Sequence, residues 1–191
     1  MKLTLGKGQV LKLFGRSHVI ELHELIQGNL EHLSPWKTWI EGLQTKAQIQ
    51  YFIDANERAF NELMGPDFNK RQHAGFQLGI FVNDQIVGLA GYQGLNLANR
   101  IASLGYWIAQ GHEGKGLVTK SCSKMIDYGI EVLRINRFEI QCTVDNVRSM
   151  AVAERLGFKK EAVLEEVEFI DGVFMDHAFY RLLAREWAKK S

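Results

Sequence analysis

The sequence is poor in cysteine, with only Cys122 and Cys142 among its 191 residues. They form no Cys-x-x-Cys pair and have no histidine set at metal-ligand spacing beside them, which argues against a zinc site and a disulfide framework. We therefore expect two reduced, buried thiols and no bound metal.

Proline is equally scarce, with only Pro35 and Pro66, and no repeat or low-complexity tract interrupts the chain. Nothing therefore marks a linker between domains. The length lies within the ~100–200 residues common for one domain. The 46% hydrophobic and 24% charged residues are typical of globular proteins. We expect one domain over residues 1–191.

An excess of charge is also missing, since 23 basic and 22 acidic residues leave a net charge of +1. Proteins that bind nucleic acids usually have a basic face, so no direct nucleic-acid binding is expected. No stretch approaches the ~20 apolar residues of a membrane span, and residues 1–7 break up their apolar positions too often for a signal peptide. The sequence predicts a cytoplasmic protein that does not bind membranes.

The spacing of apolar residues predicts a helical first third. A short strand at Val10–Phe14 precedes Ser17, a predicted N-cap, and apolar residues at helical spacing follow. A second helix should contain Trp36, Trp39 and Ile40, and a third should begin near residue 45. The stretch 65–74 is the most loop-like part of the chain.

From residue 76 onward the pattern predicts mainly strands. Turn residues and alternation indicate an antiparallel meander, a strand–loop–helix–strand unit, a further helix and a final hairpin. The predicted strands are Phe76–Val82, Ile86–Gly94, Ile101–Ala109, Arg137–Val144, Val163–Ile170 and Val173–Leu183, with helices at Val118–Leu133 and Val147–Leu156 and turns at Asn83-Asp84 and Asp171-Gly172. This is an α/β (α+β) domain around a mixed, mostly antiparallel sheet.

A glycine-bearing loop joins the third of these strands to the following helix. It consists of Gly111, His112, Glu113, Gly114, Lys115 and Gly116. N–H groups in the first turn of a helix lack intrahelical partners and lie at the positive end of the helix dipole, so phosphate binds well there. Glycine lets the backbone approach the phosphates, while Lys115 and Thr119 could add a charge and a hydroxyl. An ordinary tight turn would use the same glycines.

Two common phosphate-binding loops do not fit this stretch. A Walker A loop requires Lys and Ser/Thr directly after Gly116, where Leu117 and Val118 stand. A Rossmann fingerprint requires a third glycine at the position of Thr119. Too little chain also remains for further parallel strand–helix units.

The loop resembles the coenzyme A-binding loop of the Gcn5-related N-acetyltransferase (GNAT) superfamily, Gln/Arg-x-x-Gly-x-Gly/Ala. Gly114 and Gly116 match this pattern, whereas Gly111 stands at the Gln/Arg position. A second block, at residues 142–158, is similar to the family's Asn-x-x-Ser…Leu-Gly-Phe segment. Two blocks in the right order are more specific than one.

The resemblance extends over nearly the whole chain to the branch of bacterial ribosomal-protein alanine and serine N-acetyltransferases. Its pointers are residues 32–39, 104–108 and 186–187. The resemblance implies a GNAT-type sheet with a βαβ-like coenzyme A-binding unit and acetyl-coenzyme A as cosubstrate. It also implies an amine acceptor, with a ribosomal-protein N-terminus favoured, and a homodimer.

The resemblance also assigns the site. Ile108 is the central candidate for the backbone N–H that polarises the thioester carbonyl. Ser149 is the candidate acid for the departing sulfur, although a serine in the first turn of a helix also caps local backbone groups. Glu168 is the candidate base, although acidic runs often line a solvated face. Coenzyme A contacts are expected at Trp107, Ile108, Ala109, Gly111, His112, Glu113, Gly114, Lys115, Gly116, Thr119, Asn146 and Ser149.

The acceptor stays open at this stage. An α-amine has a pKa of ~7.7–8.0 and lysine ~10.4, so a protein N-terminus needs less help to lose its proton. A polyamine, an aminoglycoside or an amino acid is the enzymatic alternative, and a coenzyme-binding module without transfer activity is the non-enzymatic one. His32, Trp36 and Trp39 line either an acceptor cleft or the core. His112 and His177 receive no catalytic role.

Overall fold

The computed structural model describes residues 1–65, 72–73 and 75–188, without the side chains at 36–39 and 72–73. The strands are β1 Lys2–Gly6, β2 Gln9–Lys12, β3 Gln72–His73, β4 Gln77–Val82, β5 Gln85–Asn96, β6 Ile101–Ile108, β7 Arg137–Thr143, β8 Lys159–Ile170 and β9 Val173–Leu183. The α-helices are α1 Val19–Gln27, α2 Leu30–Leu33, α3 Lys46–Leu63, α4 Leu117–Glu131, α5 Val147–Leu156 and α6 Ala184–Trp187, with 3-10 helices at Arg16–His18, Ser34–Leu43 and Gln110–His112.

The described strands form one sheet in the order β1-β2-β4-β5-β6-β7-β9-β8, and β3 pairs with β5. Only the β6–β7 pair is parallel, with α4 as the connection between the two strands. All other pairs are antiparallel. The predicted mixed, mostly antiparallel sheet and its βαβ-like unit are confirmed.

Two apolar clusters cover the two faces of the sheet. Leu89 and Trp107 belong to the cluster beneath α1 and α3, whereas their chain neighbours Ala90 and Tyr106 belong to the cluster that includes α4 and α5. Successive side chains of a strand point to opposite faces. Helices α1–α3 therefore cover one face, and α4 with α5 covers the other.

The sheet opens in its middle. Strand β6 pairs with β7 only over Ile101–Ser103, opposite Arg137–Glu139, although β6 continues to Ile108 and β7 to Thr143. Beyond Ser103 the described residues of β6 and β7 no longer pair with each other, and the two strands diverge. The opening connects one face of the sheet with the other.

Several local predictions are confirmed. Helix α3 begins as predicted, because Thr45 caps it. The Thr45 hydroxyl accepts from the Gln48 N–H, and the Gln48 side-chain oxygen accepts from the Thr45 N–H. The bounds of α5 and β9 are as predicted. Asn83-Asp84 and Asp171-Gly172 have positive φ angles at both residues, as type I′ hairpin turns require. Both cysteines are free and buried.

Other local predictions are wrong. Ser17 does not cap α1, because it lies inside the 3-10 helix that His18 closes by accepting from the Gly15 N–H at 3.2 Å. The predicted helix around Trp36, Trp39 and Ile40 is present, but as a 3-10 helix, Ser34–Leu43, with Pro35 in its first turn. Strand β1 was not predicted. Within the predicted loop 65–74, residues 72–73 form β3, while 66–71 and 74 lie outside the described residues.

No helix in the described part of the chain combines the length and apolar character needed to cross a membrane. Over the same residues, His, Cys, Asp and Glu side chains form no group of three or more suited to a metal ion.

Candidate active site

The loop before α4 has the backbone that phosphate binding needs. Gly114 and Gly116 have φ angles of +69° and +71°, and Gly116 is the residue from which α4 begins. Nothing lies within 4 Å of the position a Cβ would take at Gly111, Gly114 or Gly116. Glycine is needed at 114 and 116 for backbone conformation rather than for lack of space. The first N–H groups of α4 consequently face an uncrowded loop.

Side chains of α5 and α2 contact this loop. Glu113 Oε1 lies 2.5 Å from Arg148 Nη1 in α5 and 3.4 Å from His32 Nε2 in α2. Lys115 Nζ turns back to the Gly111 carbonyl at 2.7 Å. The Glu113–Arg148 pair therefore joins the loop to the start of α5.

Thr119 and His112 were also predicted to contact coenzyme A, and the structure shows what surrounds each of them. Thr119 Oγ1 accepts from Arg155 Nη1 at 3.0 Å, so its hydroxyl faces α5. Burial, followed by the charge of Lys115, lowers the pKa of His112.

The end of β6 directs a backbone N–H into the opening of the sheet. Ala109 N donates to Val87 O at 2.8 Å, and Ile108 lies opposite Gly88 in the β5–β6 pair. N–H groups of successive residues point to opposite sides of a strand, so the Ile108 N–H points away from β5. It points toward the side where β7 has diverged.

The start of α5 holds Ser149 next to a phenol. Asn146 caps the helix, since its Oδ1 accepts from the Ser149 N–H at 3.0 Å. Ser149 Oγ lies 2.9 Å from Tyr106 Oη. Burial raises the pKa of Tyr106, so the phenol stays protonated. Tyr106 was predicted only as part of the strand that carries the resemblance, with no role of its own.

Glu168 belongs to a short chain of side-chain contacts. Its Oε2 lies 2.8 Å from His177 Nε2, and His177 Nδ1 lies 2.9 Å from Gln141 Nε2. An amide nitrogen only donates, so Nδ1 accepts, and Nε2 carries the proton given to Glu168. No local pattern in the sequence predicted the contact between His177 and Glu168.

The irregular pairing of β8 explains why Glu168 turns inward. The β8–β9 register shifts between Leu164 and Glu168, Glu166 has a φ of +53°, and its N–H donates to Asp176 Oδ1 at 2.9 Å. Glu165 and Glu166 are exposed, whereas the Glu168 side chain is 23% exposed. The acidic run is therefore not a uniformly solvated face.

Three cavities meet at Tyr106. One of about 300 Å³ occupies the opening of the sheet and is lined by Ser149, Glu168, His177, Thr143 and Gln141 among others. A second, of about 390 Å³, lies toward the loop and α5, and a third, of about 560 Å³, lies beneath α3. Ser149 lines the first two, so the candidate acid and the candidate base share one polar cavity.

The predicted contacts divide into two groups. Trp107, Ile108, Glu113, Asn146 and Ser149 line the second cavity, and His32 lines it too. The remaining predicted contacts lie at the end of β6, in the loop and in the first turn of α4. They do not line any of the three cavities. These residues are Ala109, Gly111, His112, Gly114, Lys115, Gly116 and Thr119. The Trp36 and Trp39 side chains lie outside the described residues.

Comparison with known proteins agrees with this geometry. The chain matches the acetyltransferase (GNAT) domain family over residues 10–159. It is 34% identical over 169 residues to the N-acetyltransferase YdaF of Bacillus subtilis, covering 87% of this chain and 86% of that protein. It is 28% identical over 170 residues to the ribosomal-protein-serine acetyltransferase of Escherichia coli, covering 89% of each.

A solved structure has the same fold. The microcin C7 self-immunity acetyltransferase MccE, in complex with acetyl-coenzyme A and AMP, superimposes with a TM-score of 0.81 at 28% identity and 94% coverage of each chain. The match over residues 10–159 and the similarity to these relatives lead to one conclusion. The chain belongs to the GNAT family and is an N-acetyltransferase.

Proposed function

We propose that the enzyme transfers the acetyl group of acetyl-coenzyme A directly to the N-terminal amine of a ribosomal protein, within a ternary complex. The observation that carries the proposal is the polar cavity in the opening of the sheet, which Ser149 and Glu168 both line. The relative from Escherichia coli, named for a ribosomal-protein serine, supports this acceptor.

The donor would bind from the side of α4 and α5. Its pyrophosphate would contact the first N–H groups of α4 through the loop containing Gly114 and Gly116, and its thioester arm would run along the second cavity toward Ile108. The Ile108 N–H, which points into the opening, would stabilise the oxyanion that forms on the thioester carbonyl.

The proton transfers require a base and an acid on either side of the reacting carbon. Glu168 takes a proton from the attacking amine as the C–N bond forms. When the C–S bond breaks, Ser149 gives its hydroxyl proton to the departing sulfur and regains one from solvent. Glu168 then releases the amine's proton to solvent, so the two transfers balance.

His177 acts in this scheme as a positioning residue for Glu168. It donates from Nε2 to Glu168 Oε2 and is itself held by Gln141. This contact fixes the orientation of the Glu168 carboxylate in the polar cavity. Tyr106 holds the Ser149 hydroxyl in the same way, through the 2.9 Å contact between their oxygens.

An acceptor screen tests the proposal. The enzyme is incubated with radiolabelled acetyl-coenzyme A and a panel of ribosomal proteins, polyamines, aminoglycosides and amino acids, and mass spectrometry locates the acetyl group. We expect acetylation of a protein N-terminus. Exclusive acetylation of a small amine would contradict the proposed acceptor. Calorimetric binding of acetyl-coenzyme A without any transfer would indicate a binding module instead.

We propose a single domain over residues 1–191 that forms a homodimer in the cytoplasm and binds no nucleic acid directly. Light scattering at working concentration should give twice the chain mass of 21.8 kDa. A mass of one chain would contradict the dimer.

A further inference from the structure

The cavity beneath α3 lies on the face of the sheet opposite α4 and α5. Its volume is about 560 Å³, within the range of ~300–1,000 Å³ usual for small-molecule sites. Leu89 and Trp107 line it, and both belong to the apolar cluster under α1 and α3. It meets the proposed donor side at Tyr106 and Trp107, which line both cavities.

This cavity connects with the polar cavity through the middle of β6. Gln93, Gly105 and Tyr106 line both cavities. A Cβ at Gly105 would lie 2.2 Å from Gln93 Cδ, so the glycine leaves space for the Gln93 side chain to lie across β6. A molecule whose amine reaches Glu168 would place its adjoining part beside Gln93 and beneath α3.

The lining of the cavity is apolar and uncharged. Aromatic rings and small side chains form most of it, and its polar groups are neutral: side-chain amides, tyrosine hydroxyls and the tryptophan N–H. Among the described residues that line the cavity there is no Asp, Glu, Lys, Arg or His.

The most deeply buried of these amides is already occupied. Asn56 Nδ2 donates to the Gln77 carbonyl at 2.9 Å, and Asn56 Oδ1 accepts from the Gln77 N–H at 2.6 Å. Asn56 thus fixes α3 to β4 through both atoms of its amide. A cationic group entering this cavity would lose part of its hydration, and none of the described lining residues is a carboxylate that could pair with it, which is unfavourable.

We infer that the cavity beneath α3 receives an uncharged, apolar side chain next to the acceptor's reactive amine, and that it selects against polycations such as polyamines. This inference rests on the proposed function and narrows its substrate class. The acceptor is then a peptide N-terminus followed by an apolar residue. Its amine lies at Glu168 and its next side chain lies against Phe52, Phe76 and Leu89.

Matched peptides test this selectivity. Hexapeptides that begin with alanine and differ only at the second residue, as leucine, lysine or glutamate, are compared with spermidine by steady-state kinetics. We expect kcat/KM to fall by about 10-fold or more from leucine to lysine, because a charge must be buried unpaired. Equal values for the leucine and lysine peptides, or preference for spermidine, would overturn the inference.

A substitution in the wall should reverse the preference. Ala55→Glu places a carboxylate in the cavity and should lower kcat/KM for the leucine peptide and raise it for the lysine peptide. Ala47→Glu is the matched control, because Ala47 lies on the same helix with an exposed side chain, and it should leave both values unchanged. An unchanged leucine-to-lysine ratio in Ala55→Glu would count against the inference.

A second variant shows whether a loss of activity comes from the filled cavity or from misfolding. Ala55→Leu fills the cavity without adding charge and should lower kcat/KM for the leucine peptide while calorimetric binding of acetyl-coenzyme A is retained. Full activity in Ala55→Leu would overturn the inference.

If no peptide is acetylated by the wild-type enzyme, the proposed function fails. If peptides are acetylated regardless of the second residue, only the inference fails.

Discussion

Glu168 is the single side chain on which the proposed proton transfer depends most. Glu168→Gln keeps the size of the side chain but removes the base, and general-base catalysis typically contributes ~10²–10⁴-fold. We expect turnover to fall within that range, a changed pH–rate profile and unchanged acetyl-coenzyme A binding by calorimetry. Glu165→Gln, at an exposed position of the same strand, is the control. An unaltered pH profile would remove Glu168 as the base.

His177 should act only through Glu168. His177→Gln removes the imidazole that contacts Glu168 Oε2 at 2.8 Å but leaves the carboxylate in place. We expect kcat to fall by less than in Glu168→Gln, with KM unchanged and the pH–rate profile displaced. The double variant should be no slower than Glu168→Gln alone, because residues that act as a unit are not additive. Additive losses would mean that His177 acts independently.

At the scale of elements, the loop before α4 combines two kinds of glycine. Gly116 has a φ of +71°, a conformation that costs an L-residue about 1–2 kcal/mol, whereas Gly111 does not have a positive φ. Gly116→Ala should lower the free energy of unfolding by about that amount and weaken acetyl-coenzyme A binding. Gly111→Ala is the matched control, since both positions have open space for a Cβ. Equal losses in chemical denaturation would contradict the conformational explanation.

Local sequence signals predicted those elements whose ends are marked by caps or tight turns. Asn146 and Gly157 bound α5, and the Asp171-Gly172 turn fixes the start of β9. The failures are strands that exist only through pairing, β1 with β2 and β3 with β5, and the turn before α1. His18, rather than Ser17, completes this turn. Such contacts depend on partners that periodicity does not reveal.

At the scale of the whole molecule, Glu186 joins the C-terminal helix to the edge of the sheet. Its carboxylate contacts Arg181, Lys159 and the Leu183 N–H, and these contacts, Arg181 first, lower its pKa from 4.5 to about 2. A depressed carboxylate pKa stabilises the fold above pH 4.5, and that stability is lost as the pH falls toward 2.

The prediction is a loss of stability between pH 4.5 and 2 that depends on this carboxylate. Urea denaturation at pH 7, 4 and 3 should show a shallower decrease for Glu186→Gln than for the wild type. Glu62→Gln, at an exposed position of α3, should follow the wild type. Parallel curves for all three proteins would contradict the role of Glu186.

The sequence by itself determined the fold class, the βαβ-like unit and the loop with Gly114 and Gly116, because these depend on periodicity and on short-range backbone requirements. It also identified Ser149 and Glu168 as candidates. Only the tertiary structure decided that β6 and β7 diverge, that His177 meets Glu168, and that a neutral cavity lies beneath α3. Those features arise where strands and helices distant in the chain meet, so their chemistry depends on packing that no local pattern contains.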